Sequence, residues 1–162
     1  MRGFEMGKIV DSEVIVRRMT RGDIDTILAL DAKIGEGKSK VSYRDLVVTD
    51  PGGALDFSFV CEYNGKVIGF VLARLAYIGL PLIGTCVIGA VAVDPEYQEQ
   101  GIGSKMVNKV LDRCYDEDVP RARALINEED SDLARFFQRL SFHRSKVINY
   151  DNLTIADYLH PK

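Results

Sequence analysis

Much of the chemistry open to a 162-residue chain has no residues to carry it here. Histidine occurs only at His143 and His160, and no His/Cys cluster has the spacing of a metal site. Cysteine occurs three times, at Cys61, Cys86 and Cys114, each within an apolar-patterned segment. An odd number in such segments reads as buried reduced thiols and points to a reducing, cytoplasmic compartment. There is no basic excess: the net charge of −3 gives no reason to expect nucleic acid as a partner. The N-terminus, Met1 to Lys8, lacks the long apolar run of a signal peptide. The longest apolar region, Val67 to Val93, is interrupted by Arg74, Pro81 and several glycines, and so reads as consecutive strands rather than a membrane span. No internal repeat or low-complexity segment is present.

What remains is the composition of a folded domain with a sizeable core, 46% hydrophobic and 28% charged. Residues 1–12 read as a flexible terminus and 13–162 as one domain. Val14–Arg18 predicts a first strand. Thr20 is a helix cap, Asp23 favours the first turn, and Ile24, Ile27, Leu28 and Leu30 form a helical stripe ending at Gly35. Gly35-Glu36-Gly37-Lys38-Ser39 contains Gly-Lys-Ser, but Ala32 stands where a phosphate loop needs its first glycine, and no strand precedes it. A flexible polar loop is the better reading. Ser42 caps a short helix, Tyr43 to Val48. Phe57–Tyr63 and Val67–Leu75 are strands joined by Asn64-Gly65, the strongest short hairpin signal in the chain.

The stretch from Val87 to Val107 organises the rest. Val87-Ile88-Gly89-Ala90-Val91-Ala92-Val93 suits a buried strand, which Asp94-Pro95 stops. Gly101 and Gly103 then open an amphipathic helix with Met106, Val107, Val110, Leu111 and Cys114 on one face. First-turn amides of a helix lack intrahelical partners and lie at the positive end of its dipole. Glycines there let phosphate oxygens approach. A dinucleotide fingerprint would need glycine at Met106, and a nucleotide-hydrolase loop would need Lys-Ser where Ser104-Lys105 stands in reverse. An ordinary tight strand-to-helix turn that uses glycine for backbone reasons is the plain alternative. Beyond it, Arg121–Asn127 reads as a strand. Asp130 or Ser131 caps a helix carrying Leu133, Phe136, Phe137 and Leu140, and Phe142–Arg144 and Val147–Ile155 read as closing strands.

Gln98-Glu99-Gln100-Gly101-Ile102-Gly103, after Val93-Asp94-Pro95, resembles the core motif of the GNAT superfamily of acetyl-CoA-dependent N-acetyltransferases, Gln/Arg-x-x-Gly-x-Gly/Ala. The order β-α-α-β-β-β-α-β-α-β-β, from about Val14 to Ile155, also resembles that fold. The resemblance implies an α/β (α+β) architecture: a mixed, mostly antiparallel sheet of about seven strands flanked by about four helices. Two neighbouring strands would part at the phosphate loop, Val91–Val93 ending one and Ile126 the other. It further implies that acetyl-CoA is the co-substrate, with no metal. Main-chain groups of Val91, Ala92 and Val93 would pair with the pantetheine arm, and amides of Glu99, Gln100, Gly101, Ile102, Gly103 and Ser104 would hold the pyrophosphate. Asp130 occupies the family's asparagine position near the pantetheine arm, but lacks its amide donor; a helix N-cap is the other reading.

The catalytic groups do not carry over. Phe137 stands where many relatives have a proton-donating tyrosine, and Ser141 replaces a glycine. Gly89 and Ala90 replace a frequent carboxylate, and Leu125 a glutamate of the protein-amine-acetylating relatives. The catalytic residues are therefore left open. Asn127 could orient an amine or end a strand. Glu62 and Tyr63 read as solvated, Glu128 and Glu129 as a helix-start charge bias, Tyr150 as site or core, and Cys86 as a buried thiol. Three functions compete. The first is transfer of acetyl from acetyl-CoA to a primary amine of a small molecule or protein, by direct attack in a ternary complex. The second is an acyl-CoA-binding sensor or partner subunit without chemistry. The third, with least support, is nucleotide binding by Gly35–Ser39. Neither a membrane nor nucleic acid is an expected partner; a homodimer through the C-terminal strands follows from the resemblance alone.

Overall fold

Alternation of apolar residues along four successive segments makes them strands of one sheet. The computed structural model describes residues 8–37, 40–78 and 82–151. The strands are β1 (Val14–Arg18), β2 (Phe59–Tyr63), β3 (Lys66–Ile78), β4 (Ile83–Val93) and β5 (Arg121–Ala124), in that spatial order. β1 to β4 are antiparallel neighbours, and β5 joins parallel to β4. Parallel pairing needs a crossover, supplied by α3 (Ile102–Asp116). The β2–β3 hairpin turns at Asn64-Gly65, with φ of 51° and 74°, as its sequence predicts.

Each face of the sheet is covered by a different part of the chain. On one face α1 (Ile24–Ile34) and α2 (Tyr43–Val48) bury Met19, Ile27, Leu30 and Leu46 against Val60 and Phe70, with Leu72, Ala90 and Ala92 packed alongside. Removing each large side chain from water contributes about 1.5–3 kcal/mol. On the other face α3 buries Ile102, Met106, Val107, Val110 and Cys114. The helix approaches closely at Gly69: a Cβ there would stand 3.0 Å from the Ala92 carbonyl oxygen and 3.0 Å from the Met106 methyl. Burial pushes the Cys61 thiol up to about 11, and Cys86, beside Cys114 and buried, is likewise pushed up. Both therefore stay protonated near neutrality.

The chain divides after Asn127 into two compact units. In the second, α4 (Ser131–Arg139) is capped by the Asp130 carboxylate, which accepts from the Leu133 amide at 3.1 Å. Phe137 is buried, with the rings of Phe136 and Phe142 edge-on at 5.1 Å each.

Two expectations need correction. The described residues contain five strands rather than about seven, and neither Phe142–Arg144 nor Val147–Tyr150 is a strand. Phe142 instead completes the end of α4. Its amide donates to the Phe137 carbonyl at 3.1 Å and the Ser141 amide to that of Gln138 at 3.0 Å, with Ser141 left-handed at φ 66°. This is a Schellman closure. It uses the backbone groups that a strand would have offered to a sheet. The last part of the expected final strand, from Asn152, lies outside the described residues, as do Lys38 and Ser39 of the Gly-Lys-Ser stretch. What precedes that stretch is α1, with Gly35 at its end.

Candidate active site

β4 is paired on both sides only as far as Ile88. Thr85, Cys86, Val87 and Ile88 face Arg121 to Ala124 of β5, and the Leu125 amide closes the ladder on the Ile88 carbonyl at 3.1 Å. Toward β3 the pairing continues to Val93, but with a bulge: Ala73 faces Ile88 and Leu72 faces Ala90, so Gly89 is the extra residue. A bulge bends its strand and increases local twist. The bend therefore falls at the residue where β5 lets go. From Gly89 to Val93, no strand among the described residues pairs with β4 on its β5 side. These five residues offer unpaired main-chain groups to an extended ligand, with Ala90 and Ala92 turned toward the α1 side.

The open edge runs directly into the glycine loop. Asp94 ends β4, its amide donating to the Ile68 carbonyl at 2.7 Å, and its carboxylate caps the turn Pro95–Tyr97 by accepting from the Glu96 amide. Gln98 folds back to donate to the Val93 carbonyl at 2.9 Å, so one of the groups expected to face the pantetheine arm already has a partner. Glu99 and Gly101 are left-handed, at φ 62° and 78°. Glycine accepts this conformation freely, whereas a non-glycine residue such as Glu99 holds it under strain. Successive turns of this kind aim amides into a concavity that suits anions. The first intrahelical bond runs from the Lys105 amide to the Gly101 carbonyl. Among the described residues, the amides of Glu99, Gln100, Gly101, Ile102, Gly103 and Ser104 meet no backbone acceptor. Helix dipole and free donors point at the same spot.

The loop is held from below by a buried charge. Lys33, in the last turn of α1, bonds the Asp94 carboxylate at 2.8 Å, and that carboxylate is almost fully buried. Burial pushes the Asp94 carboxyl up. The bonds from Lys33 and the Glu96 amide outweigh that and hold it below the usual carboxylate range. Sequence reading missed this pair, since 61 residues separate its members. The other buried carboxylates are likewise structural. Asp23 takes Arg17, Asp31 the amides of Lys40 and Val41, and Asp56 those of Gly52 and Ser58.

The structure thus brings Val91, Ala92 and Val93 together with Glu99 to Ser104 in one unit. Asp130 belongs to the second unit, as the α4 cap. Of the open catalytic candidates, Glu62 is not a solvated strand end but half-buried and bonded to Arg17 at 2.8 Å. Leu125, Asn127, Glu128 and Glu129 are exposed, and Tyr150 is 93% exposed and so not core. Among the described residues no group of three or more metal-ligating side chains occurs, and no helix is long and apolar enough to cross a membrane.

Comparison with known proteins bears on this geometry. The model of the acetyltransferase (GNAT) family matches residues 29–142. An uncharacterized N-acetyltransferase of Methanocaldococcus jannaschii is 27% identical over 144 residues, covering 82% of this chain but only 62% of that relative's length. Among solved structures, the aminoglycoside N-acetyltransferase AAC(6')-Iy in complex with CoA superposes with a TM-score of 0.74 at 14% identity, over 88% of this chain and 95% of that one. A transcriptional regulator of Bacillus halodurans gives 0.72 at 17% identity, over 86% and 99%. Naa50 of Arabidopsis thaliana, bound to a bisubstrate analogue, gives 0.67 at 21%, over 88% and 92%. At these identities the likeness is one of fold. With the family model spanning more than two-thirds of it, the chain belongs to the GNAT family of acetyltransferases.

Proposed function

We propose that the protein transfers an acetyl group from acetyl-CoA to a primary amine by direct attack in a ternary complex. One observation carries this reading: the β4 edge left open from Gly89 to Val93 continues into a loop whose amides, from Glu99 to Ser104, have no backbone partner. An extended, amide-bearing pantetheine arm suits the open edge, and a pyrophosphate suits the loop. In this reading Val91, Ala92 and Val93 bind the arm, residues Glu99 to Ser104 bind the phosphates, and Asp130 stands at the position of an arm-binding side chain. CoA-containing relatives of the same fold support it.

Aminolysis of a thioester needs a neutral amine, a stabilised oxyanion and a proton for the departing thiolate. The ring of Phe137 has no proton to give, and the buried carboxylates of the first unit are engaged in the fold. Water is the proton acceptor and donor in this scheme. CoA thiolate leaves readily enough for that, since ordinary thiols have a pKa near ~8.5. The acceptor is an amine on a small molecule or peptide, the two kinds named in the related complexes.

A second reading, an acyl-CoA-binding protein without turnover, draws on Phe137 and on the engaged carboxylates. Release of free CoA from acetyl-CoA with a panel of amino sugars, polyamines and short peptides separates the two. Amine-dependent release is expected. Saturable binding without release by any amine would favour the second reading, and absence of CoA binding would remove both.

A further inference from the structure

The stretch before β1 is fastened to the loop described above at three points. The Ile9 amide donates to the Gln100 side-chain oxygen at 2.8 Å, across 91 residues of sequence. The Asp11 carboxylate pairs with Lys105, in the first turn of α3, at 2.7 Å. Between them the Val10 amide reaches the Tyr63 hydroxyl at 3.5 Å, and the Tyr63 ring packs edge-on against Tyr97 at 5.8 Å. Tyr97, Gln100 and Lys105 mark the approach to the loop, its middle and its exit.

Gln100 lies between the two left-handed residues, Glu99 and Gly101. That backbone is under strain at Glu99 and needs outside support to persist. The side chain of Gln100 points back to Ile9 and is partly buried, so a rotation of the loop would break its bond. Lys105 is spaced four residues from Gly101 and anchors the first turn from the same side. Neither contact is made by a residue of the open edge or by an amide offered to phosphate.

We infer that the segment Ile9–Asp11 is a positioning strap: it holds residues 99–104 in the anion-binding conformation and so raises affinity for the pyrophosphate of CoA. The inference rests on the CoA reading given above. It makes the N-terminal segment part of the site without any contact with the ligand. Binding linkage is reciprocal, so the factor by which the strap tightens CoA binding is the factor by which CoA tightens the strap.

The test uses the full chain, with CoA as probe. Ile9→Pro removes the amide donor, and Asp11→Ala removes the carboxylate from a side chain that is 80% exposed. Each is expected to raise the Kd for CoA about 3- to 10-fold, the range of one net hydrogen bond, with the melting temperature of the free protein unchanged. Asp11→Glu, which keeps the charge, is expected to restore affinity. In the parent, saturating CoA is expected to slow hydrogen exchange at the Ile9 amide by a comparable factor. Parental CoA binding with unchanged Kd in both variants, or with no added protection at Ile9, overturns the strap alone. A fall in affinity matched by a fall in the free protein's melting temperature also overturns it, as simple destabilisation. Absence of CoA binding by the parent overturns the CoA reading and the strap with it.

Discussion

The two halves of β4 have nearly the same composition and opposite roles. Ile83–Ile88 and Gly89–Val93 are both small and β-branched. The first half is clamped between β3 and β5, with Thr85, Cys86 and Ile88 buried. In the second half none of the five residues is fully buried. What separates them is not in β4 at all. β5 ends at Ala124, and the Gly89 bulge turns the remaining strand at the same level. The lesson is that a binding edge arises here by ending a neighbour early, and that the same residue types serve as core where the neighbour continues.

The largest effect expected from breaking that contrast is in the clamped half. Ile88→Ala deletes a side chain only 1% exposed and should cost about 2–5 kcal/mol of stability, read by denaturant unfolding. The CoA-dependent rise in melting temperature should survive. Loss of that response at intact fold would mean the clamped half is part of the site.

Gly103→Glu probes the open half. A carboxylate in the first turn of α3 favours both helix propensity and dipole, so the fold should hold. It would occupy and repel the phosphate site. Loss of charge-assisted bonds worth about 1.5–3 kcal/mol weakens CoA binding on the order of 10- to 100-fold. Calorimetric titration that finds equal affinity in mutant and parent would refute the loop assignment.

Gly69→Ala sharpens the comparison by pressing on the junction. Its Cβ would meet the Ala92 carbonyl and Met106 at 3.0 Å, whereas at Gly84, beside the clamped half, the nearest atoms are at 3.7 Å. Overpacking at Gly69 should cost about 1–3 kcal/mol and weaken CoA binding as α3 shifts on β4. Gly84→Ala should do neither, and similar melting curves for the two would contradict the close approach.

The smallest effect concerns Asp94. Its folded carboxyl is depressed, so the stability it contributes is present above the unfolded value near ~3.9 and is lost as pH falls through the lower folded value. Asp94→Asn should therefore be less stable than the parent at pH 7. The gap should close toward pH 3, as followed by unfolding at several pH values. A gap that is constant with pH would show that Lys33 does not act through this charge.

Local chemistry was legible where one segment suffices. Asn64-Gly65 makes the hairpin, Ser42 with Asp45 caps α2, and Gly101 takes the left-handed φ that opens α3. Legibility failed at Phe142, whose apolar pattern suits a strand but whose amide closes α4 instead. A two-residue alternation cannot tell a sheet partner from a helix end when the deciding bond comes from a residue already in the helix.

The sequence by itself determined the elements and the glycine loop, because caps, turns and periodicity act within a few residues. Only the tertiary structure decided that β5 stops opposite Ile88, that Lys33 meets Asp94, and that Ile9 and Asp11 hold the loop. Those contacts join residues that are 36, 61, 91 and 94 positions apart. No local preference encodes them, since they form only once the packing of helices on the sheet has brought both partners to one place.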